Sequence, residues 1–371
     1  MEVKTNRFII KYKEGIVSVA ANDVAEAIER FKELRIETSA KELTIVPSDE
    51  MFKRKEELFK ANIILKVEPP TEEEIKLLTP QHLLISALQH ASKSSAFMKE
   101  LMAKKLTAIA YENLKDQDGL FPVIRSLSEI AGTTTISIAD ELLSSTYGGK
   151  GEMLGSVNGI PPTEIVIIGA GTVGEYAAKS ALGKGATVKV FDYSLSKLRR
   201  IQENLRQSIF TSLLHPKIIF KALQTADLVI GCMRSEDGRS PIIITEEMVS
   251  NMKPMSVIID VSIDQGGIFE TSEITSHKNP TFTKHDVIHY CVPNITSRVC
   301  RTASYALSNV FTPLLLKLAD AKDIPSFLYN NAGARNGVYV YRGNLTNKHI
   351  GKRLNIYHKD LDLLPSDDSA T

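Results

Sequence analysis

The sequence predicts an α/β protein in which a doubly wound parallel sheet is joined to a second, discontinuous domain. In the middle of the chain, short apolar runs alternate with segments of helical spacing; the runs are EIVIIGAG, GATVKVFD, TADLVIGCM, SVIIDVS and VIHYCVP. Short apolar runs with helices between them are typical of parallel strands that are covered on both faces. The length of 371 residues is compatible with two domains, at about 150 residues each.

The predicted boundaries place the parallel sheet in residues 126–310, whereas residues 1–125 and 311–371 together build the second domain. In the N-terminal part, FIIKY, IVSVA, ANIILKV and TAIAYE are predicted strands, and the apolar spacing over residues 82–105 predicts a helix. The run SLSEIAGTTTISIADELLSS predicts a long amphipathic helix. It is followed by a glycine-rich linker, YGGKGEMLGSVNGIPP.

Composition excludes several classes of function. A net charge of +1 gives no electrostatic basis for binding nucleic acid or an anionic membrane. Three cysteines are too few for a disulfide scaffold and lack the spacing of metal ligands. No apolar run reaches the roughly 18 residues of a membrane span, and MEVKTNRFIIKYKEG lacks the apolar core of a signal peptide. A cytoplasmic protein without a metal site is therefore expected.

The segment EIVIIGAGTVGEYAAKSALGKGATVKVFD carries Gly169, Gly171 and Gly174 in the spacing G-x-G-x-x-G. In such a motif the first glycine permits a tight turn, the second lets the backbone approach a pyrophosphate, and the third allows a helix to pack closely on a strand. The amides of Thr172 and Val173 lie at the start of that helix. Unpaired N–H groups at a helix N-terminus bind phosphate.

Asp192 ends the next predicted strand, about 20 residues after the glycines, where a carboxylate accepts hydrogen bonds from both ribose hydroxyls. Because a carboxylate there repels a 2′-phosphate, NAD is favoured over NADP. Glycine-rich turns also serve plain packing, but the strand, helix, second strand and acid are all present here. The motif lies in the middle of the chain, which favours a nicotinamide cofactor over FAD. A Rossmann-like, NAD-binding domain is therefore predicted.

Longer motifs resemble those of the alanine dehydrogenase and nicotinamide nucleotide transhydrogenase superfamily, and of alanine dehydrogenases in particular. The matching segments are AIAYE (108–112), SEIAG (128–132), YGGKG (147–151), IGAGTVGEYAA (168–178), MKPMSVIIDVSIDQGGIFETS (252–272), HYCVPN (289–294) and RTASYALSN (301–309). The resemblance covers about residues 60–320. It implies two Rossmann-like domains and a homo-oligomer, either a dimer or a hexamer.

The resemblance also assigns roles to individual residues. Asp264, in IDQGG, matches the aspartate beside the nicotinamide and the substrate amine, and His90 matches the active-site histidine by its spacing to AYE. Ser128 matches a serine that contacts the cofactor pyrophosphate, and Lys197 a residue near the adenosine. Asn294 matches the asparagine of the loop over the nicotinamide. His90 is accordingly expected to act as a general acid or base.

The resemblance is weakest where the substrate would bind. The substrate lysine of the family lies in the pattern K-V-K-E-P, whereas this chain reads Lys66-Val67-Glu68-Pro69-Pro70. Lys66 is the candidate for the cation that polarises the substrate carbonyl, with a solvated lysine at a strand end as the alternative. The N-terminal arginine segment of the family is not reproduced in residues 1–50, where Arg7 is only a loose candidate.

The function implied by the resemblance is that of an NAD-dependent amino acid dehydrogenase. The family reaction converts L-alanine, NAD and water into pyruvate, ammonia and NADH by hydride transfer through an imine. The partner is thus a small amino acid or 2-keto acid. Two alternatives stay open because of the altered pattern around Lys66. One is a saccharopine-dehydrogenase-like or other amino acid dehydrogenase with a different substrate. The other is a catalytically impaired paralogue that binds NAD as a sensor.

Overall fold

The chain divides into two compact units in a computed structural model. The first unit comprises Met1–Pro122 and Phe311–Thr371, and the second comprises Val123–Val310. The structure describes the backbone of residues 6–12, 15–21 and 44–47, and both backbone and side chains of residues 58–88, 94–234 and 240–363. The mixed α/β class predicted from the sequence is confirmed, since each unit contains a sheet with parallel strands.

The described strands of the first unit form two sheets. One is antiparallel, in the order β2-β1-β3, and the other has the order β15-β14-β6-β5-β4, within which β4, β5 and β6 are parallel. Their bounds are β1 Asn6–Tyr12, β2 Gly15–Ala21, β3 Thr44–Pro47, β4 Ile63–Leu65, β5 Leu83–Ser86, β6 Thr107–Ala110, β14 Val338–Tyr341 and β15 Asn344–Leu345.

The predicted helix over residues 82–105 is wrong in its first part. Leu83–Ser86 is strand β5, whose four residues are all buried between the parallel neighbours β4 and β6. A short apolar run fits a buried strand as well as a buried helix, and here pairing with both neighbouring strands decides the outcome. The helix begins only at Ser95, where the Ser94 hydroxyl accepts a hydrogen bond from the Phe97 amide.

Short helices accompany the sheet of parallel strands in the first unit. They are α1 Glu72–Leu77, α2 Ser95–Ala103, α9 Ile324–Asn330, α10 Ala332–Asn336 and α11 Lys348–Leu354, together with the 3₁₀ turn Tyr111–Asn113. Apolar side chains of α1, α2 and α11 pack on the sheet in one buried cluster, which includes Ile75, Leu101 and Ile350. This cluster forms a core on one face of the sheet.

The second unit is built on a sheet in the order β12-β13-β11-β10-β7-β8-β9. The pairings between these described strands are parallel except that of β12 with β13. The bounds are β7 Glu164–Ile168, β8 Thr187–Asp192, β9 Phe210–Leu213, β10 Leu228–Gly231, β11 Val257–Asp260, β12 Thr281–Lys284 and β13 Val287–Tyr290. The strand order reverses between β7 and β10, which is the position where doubly wound sheets bind ligands.

Helices cover both faces of this sheet. They are α3 Pro122–Leu143, α4 Thr172–Gly183, α5 Leu195–Leu205, α6 Pro216–Thr225 and α7 Glu246–Ser250, and α8 Cys300–Ala319 leads on into the first unit. Alternate residues of β7 face opposite layers: Ile165 and Ile167 pack with α3, α4 and α5, whereas Val166 and Ile168 pack with α6 and α7. Burial on both faces explains why the strands read as unbroken apolar runs.

No helix in the described part of the chain is long and apolar enough to cross a lipid bilayer.

At the amino end of this sheet, Asp227 connects three separate segments. Its buried carboxylate accepts hydrogen bonds from the Lys150 and Lys253 ammonium groups, both at 2.8 Å, and from the Glu164 amide at 2.8 Å. Burial by itself raises the pKa of Asp227, but these hydrogen bonds outweigh burial and lower the pKa below its ordinary value. The charged form of Asp227 therefore stabilises the fold.

Asp227→Asn should lower the free energy of unfolding by on the order of 2 kcal/mol at pH 7, because it leaves two lysines without their buried counter-charge. Since the folded pKa is depressed, the wild-type advantage is present above the unfolded pKa of about 3.9 and is lost as the pH falls through the folded value. Chemical denaturation between pH 3 and 7 measures both effects.

The matched control is Asp140→Asn, in which the carboxylate pairs with Lys184 and is about a third exposed. This exposed pair should contribute less than about 1 kcal/mol. Equal losses in the two variants would contradict the role given to Asp227.

Candidate nucleotide-binding and catalytic site

The three motif glycines lie at the carboxyl end of β7 and at the start of α4. Gly169 has φ +122°, a conformation that L side chains rarely adopt, and an added Cβ would lie 2.7 Å from the Cys232 carbonyl oxygen. At Gly174 an added Cβ would lie 1.9 Å from the Gly169 carbonyl oxygen, so only glycine allows α4 to approach the turn this closely.

Gly171 differs from the other two glycines in that an added Cβ would contact nothing within 4 Å in the described part of the chain. The described fold therefore does not require a glycine there, whereas a ligand approaching the backbone does. Gly171 is also the N-cap of α4, and no side chain of the described residues caps this helix end. The amides of the first turn, including those of Thr172 and Val173, are thus positioned to receive a phosphate.

Ser128 lies on α3, one helical turn before Gly132. Gly132 is packed against α4, since an added Cβ would lie 2.3 Å from the Val173 carbonyl oxygen. Residues four apart lie on the same helix face, so Ser128 belongs to the face of α3 that contacts the beginning of α4. The contact of Ser128 with a pyrophosphate stays a prediction.

Asp192 ends β8 and is buried. One carboxylate oxygen accepts the Ala170 amide at 2.7 Å, and the other accepts the Ser194 amide at 2.8 Å. Arg200 on α5 donates to the Ala170 carbonyl oxygen at 3.0 Å. The peptide groups on either side of Ala170 are thus held by two neighbouring elements. Because a carboxylate accepts about four hydrogen bonds, the two amides leave further acceptor positions on Asp192.

Lys197 is exposed in the first turn of α5, where its amide donates to the Ser194 hydroxyl that caps the helix. The position of Lys197 near an adenosine stays a prediction.

Asp264 and Asn294 come from two different loops and meet at the same edge of the sheet. Asp264 lies in the 3₁₀ turn Val261–Gln265 that follows β11, and Asn294 follows β13. The backbone amide of Asn294 donates to a carboxylate oxygen of Asp264 at 3.3 Å, and both residues are exposed. The structure therefore brings together two residues that the sequence places 30 positions apart.

Further contacts shape the loop that carries Asn294. Asn294 has φ +52°, and its side-chain oxygen accepts a hydrogen bond from the Thr296 hydroxyl at 2.8 Å. The Ser297 hydroxyl donates to the Asn294 carbonyl oxygen at 2.7 Å. Arg298, in the 3₁₀ turn Ile295–Val299, pairs with Glu141 on α3. The loop is therefore tied to the same helix that carries Ser128.

Sequence reasoning missed Asp260, the last residue of β11. Its carboxylate is buried and accepts hydrogen bonds from the amides of Ser262 and Ile268 and from the Ser272 hydroxyl, at 2.7–3.0 Å. Burial raises the pKa of Asp260 to about 6, although these hydrogen bonds act in the opposite direction. The available signal was an acid immediately after the apolar strand residues VII, at the sheet edge where ligands bind.

In the first unit, Lys66 follows β4 and forms an ion pair. Its ammonium lies 3.0 Å from each oxygen of the Glu74 carboxylate. Glu74 also accepts the Thr71 amide at 2.8 Å, within the capping box at the start of α1. The positive charge of Lys66 is therefore balanced by a carboxylate that the fold holds in place.

His90 lies outside the described residues. Two residues before it, the Leu88 amide is held by Glu112, for which the sequence predicted no role. The Glu112 carboxylate, which follows β6 and is buried, accepts the Leu88 amide at 3.3 Å. The neighbouring Tyr111 hydroxyl donates to the Val67 carbonyl oxygen at 2.5 Å. Burial is the main cause that raises the pKa of Tyr111, and the carboxylates of Glu112 and Glu68 raise it further.

His285 and His289 are four residues apart, but their imidazoles have different partners. His285 bonds to the Glu246 carboxylate at 2.7 Å. His289 is buried in β13, where its ring lies between the Thr271 hydroxyl at 2.8 Å and the Val287 carbonyl oxygen at 2.9 Å. These three contacts are typical of structural histidines.

The glycine turn, the acid that ends β8 and the reversal of strand order define the second unit as a Rossmann-like, nucleotide-binding unit. Residues 10–131 match the family model described as "Alanine dehydrogenase/PNT, N-terminal domain", and residues 135–348 match "Alanine dehydrogenase/PNT, C-terminal domain". The chain belongs to the alanine dehydrogenase/PNT family, which confirms the resemblance found in the sequence.

Individual relatives agree with this assignment. The chain is 35% identical to an alanine dehydrogenase of Mycolicibacterium smegmatis, over 95% of this chain and 96% of the relative. It is 38% identical to an alanine dehydrogenase of Methanococcus maripaludis, over 79% of this chain and 78% of the relative. Among solved structures, an L-alanine dehydrogenase matches with a TM-score of 0.75 and 32% identity, covering 81% of this chain and 82% of the other.

A transhydrogenase from Sinorhizobium meliloti has the same fold, with a TM-score of 0.66 at 19% identity, covering 82% of this chain and 86% of the other.

Gly171→Ala should mainly weaken NADH binding, whereas Gly174→Ala should mainly lower the stability of the fold. The methyl group of Gly171→Ala occupies open space among the described residues, so the free energy of unfolding should fall by less than about 1 kcal/mol. The same methyl group obstructs a pyrophosphate, so NADH affinity should fall at least about ten-fold. Gly174→Ala should cost about 1–3 kcal/mol of stability, because α4 must move away from the turn.

Thermal unfolding and NADH fluorescence titration of both variants measure these effects. Wild-type NADH affinity in Gly171→Ala would contradict the phosphate-binding role of this turn.

Proposed function

We propose that the protein is an alanine dehydrogenase-like enzyme that oxidises the CH–NH2 group of an amino acid with NAD. The proposed reaction is L-alanine, NAD and water to pyruvate, ammonia and NADH, through an imine. The observation that carries the proposal is the meeting of Asp264 with Asn294, at the sheet edge where the glycine turn also lies. The relatives named alanine dehydrogenase, which cover nearly the whole chain, support the same activity.

The cofactor assignment rests on two features of the described residues, which fit a pyrophosphate: there is open space at Gly171, and no side chain among them caps the helix that begins with Thr172 and Val173. Ser128 is assigned to the same phosphate group. Asp192 is assigned to the ribose hydroxyls, and Lys197 to the adenosine. When bound, NAD supplies the hydride acceptor. In this assignment Val123–Val310, close to the predicted 126–310, is the NAD-binding domain, and the other unit is the substrate domain.

Asp264 is assigned to the reacting centre. As the amine becomes an iminium, positive charge develops on the substrate nitrogen, and a carboxylate held nearby stabilises that charge. The same carboxylate can orient the water that attacks the imine carbon. The Asn294 amide, which donates to Asp264, limits the orientations available to the carboxylate. Preorganised charge of this kind requires no rearrangement during the reaction.

His90 and Lys66 are assigned to the substrate from the family resemblance. His90 would transfer protons as the imine is hydrolysed. Glu112 supports this role because it anchors the Leu88 amide, two residues before His90. Lys66 would polarise the substrate carbonyl while Glu74 holds its ammonium in place.

A second candidate function follows from the charges around Lys66. Glu74 balances the charge of Lys66, and Glu68 and Glu112 add negative charge beside Tyr111. The described residues there suit a substrate with an additional cationic group, as in a dehydrogenase that forms or cleaves a secondary amine. A cytoplasmic location and a homo-oligomeric state stay predictions, from composition and from the family resemblance respectively.

The direct test measures NADH oxidation with ammonia and a panel of 2-keto acids, starting with pyruvate, while NADH binding is followed by fluorescence. Turnover of pyruvate is expected. Turnover only with an amino-group donor other than ammonia would favour the second candidate. Tight NADH binding without turnover of any acid would contradict the dehydrogenase proposal and indicate a sensor.

His90→Ala is the control variant for this test. An enzyme that uses His90 should lose at least about 100-fold in kcat while its NADH affinity changes little. An unchanged kcat would remove His90 from the mechanism.

Lys66→Met should lower kcat/KM for the keto acid at least about 100-fold, because it removes the cation that polarises the carbonyl, while NADH affinity stays at its wild-type value. Glu74→Gln, which keeps the lysine but releases it from its partner, should cause a smaller loss. Steady-state kinetics of both variants measure the difference. Equal losses of stability with unchanged turnover would show that the pair is purely structural.

A further inference from the structure

The loop after β11 folds around one buried carboxylate. Asp260 is only 1% exposed. One of its oxygens accepts the Ser262 amide at 3.0 Å, and this bond begins the 3₁₀ turn. The other oxygen accepts the Ile268 amide at 2.9 Å and the Ser272 hydroxyl at 2.7 Å. A single side chain at the end of β11 is thus hydrogen-bonded to the start of the loop, to its end and to the segment that follows it.

The backbone of the loop is shaped to fit this carboxylate. Gly267 has φ +79°, and a Cβ added there would lie 2.6 Å from an Asp260 oxygen. Only a glycine lets the chain pass so close to the carboxylate in this conformation. The second glycine of the IDQGG motif therefore accommodates Asp260, and the motif forms one unit with the strand before it.

Between the anchored ends of this loop lies Asp264, which the Asn294 amide contacts at 3.3 Å. Asp264 is exposed, whereas Ser262 and Ile268 on either side are buried. Hydrogen bonds on both sides of Asp264 thus end at Asp260, and the Ser240 amide donates in addition to the Gln265 carbonyl oxygen at 2.9 Å.

We propose that Asp260 is the positioning residue of the reaction: it holds the loop of residues 262–268 so that Asp264 meets Asn294. This inference rests on the proposed function, since it deepens the role given there to Asp264. Asp260 itself touches neither substrate nor cofactor in this proposal. It acts through the backbone amides of Ser262 and Ile268.

The energetics of Asp260 support a functional role over a purely stabilising one. Burial raises its pKa to about 6, well above the unfolded value of an aspartate. By linkage, a raised carboxyl pKa stabilises the fold when the group is protonated, and that contribution is lost as the pH rises through about 6. At neutral pH the folded chain therefore keeps a charge on Asp260 that folding disfavours, and the donors around this carboxylate require an acceptor.

The test is a double-mutant cycle in the full-length protein, with Asp260→Asn, Asp264→Asn and the double variant. Asparagine presents an NH2 group to donors that need an acceptor, so Asp260→Asn should lower kcat at least about ten-fold. The KM for NADH should change less than about three-fold, because the glycine turn is untouched. When Asp264 is already asparagine, Asp260→Asn should lower kcat no further than about two-fold.

Asp227→Asn is the matched control, since Asp227 is an equally buried acid of the same unit at the opposite end of the sheet. It should lower Tm and leave kcat within about two-fold of wild type. If Asp260→Asn does not fold, Ser272→Ala removes a single donor to Asp260 and should lower kcat by a smaller factor, again only when Asp264 is intact. A wild-type kcat in Asp260→Asn, or losses that multiply in the double variant, would overturn the inference.

Hydrogen exchange separates failure of this inference from failure of the proposed function, because it needs no turnover. In Asp260→Asn the amides of Ser262, Ile268 and Asn294 should exchange faster than in wild type, whereas the amide of Glu164 should not change. If wild type turns over no keto acid, the proposed function fails and exchange alone decides the inference. Unchanged exchange at Asn294 would then overturn it.

Discussion

The register of the parallel strands β7, β10 and β11 is the constraint on which the candidate site depends. Ile168, Gly231 and Asp260 pair across these strands, so the strands end at one level and their loops leave the sheet side by side. The glycine turn follows the first of these strands and the Asp264 loop follows the third. A shift of register would move these loops relative to each other and would turn the buried side chains of a strand to the opposite face.

Buried carboxylates join the loops to the sheet at both of its ends. At the carboxyl edge, Asp192 holds the Ala170 amide and Asp260 holds those of Ser262 and Ile268. At the amino end, Asp227 holds the Glu164 amide together with two lysines. The two ammonium groups at Asp227 offset the cost of burying its charge, whereas the donors described at Asp260 are neutral. This difference fits a stabilising role for Asp227 and a positioning role for Asp260.

In the first unit, neighbouring elements determine the environment of a motif residue. Lys66 stands in a segment similar to the family substrate motif, yet Glu74 balances its charge from the first turns of α1. Glu74 is part of a capping box, so a residue that caps the start of the helix also determines the environment of the lysine. The charge environment of Lys66 therefore depends on the position of α1 relative to β4.

The sequence by itself determined the α/β class, the strands β7, β8, β10, β11 and β13 and the positions of Gly169 and Asp192, because these depend on local apolar runs and turn geometry. It did not show β9 and β12, which are only partly buried and carry no apolar run. It did not determine β5, whose apolar residues become a strand only through pairing with β4 and β6. Nor did it show Asp260 or Glu112, since a buried carboxylate is recognised by the amides around it. Those amides come from distant segments, and only the tertiary structure brings them together.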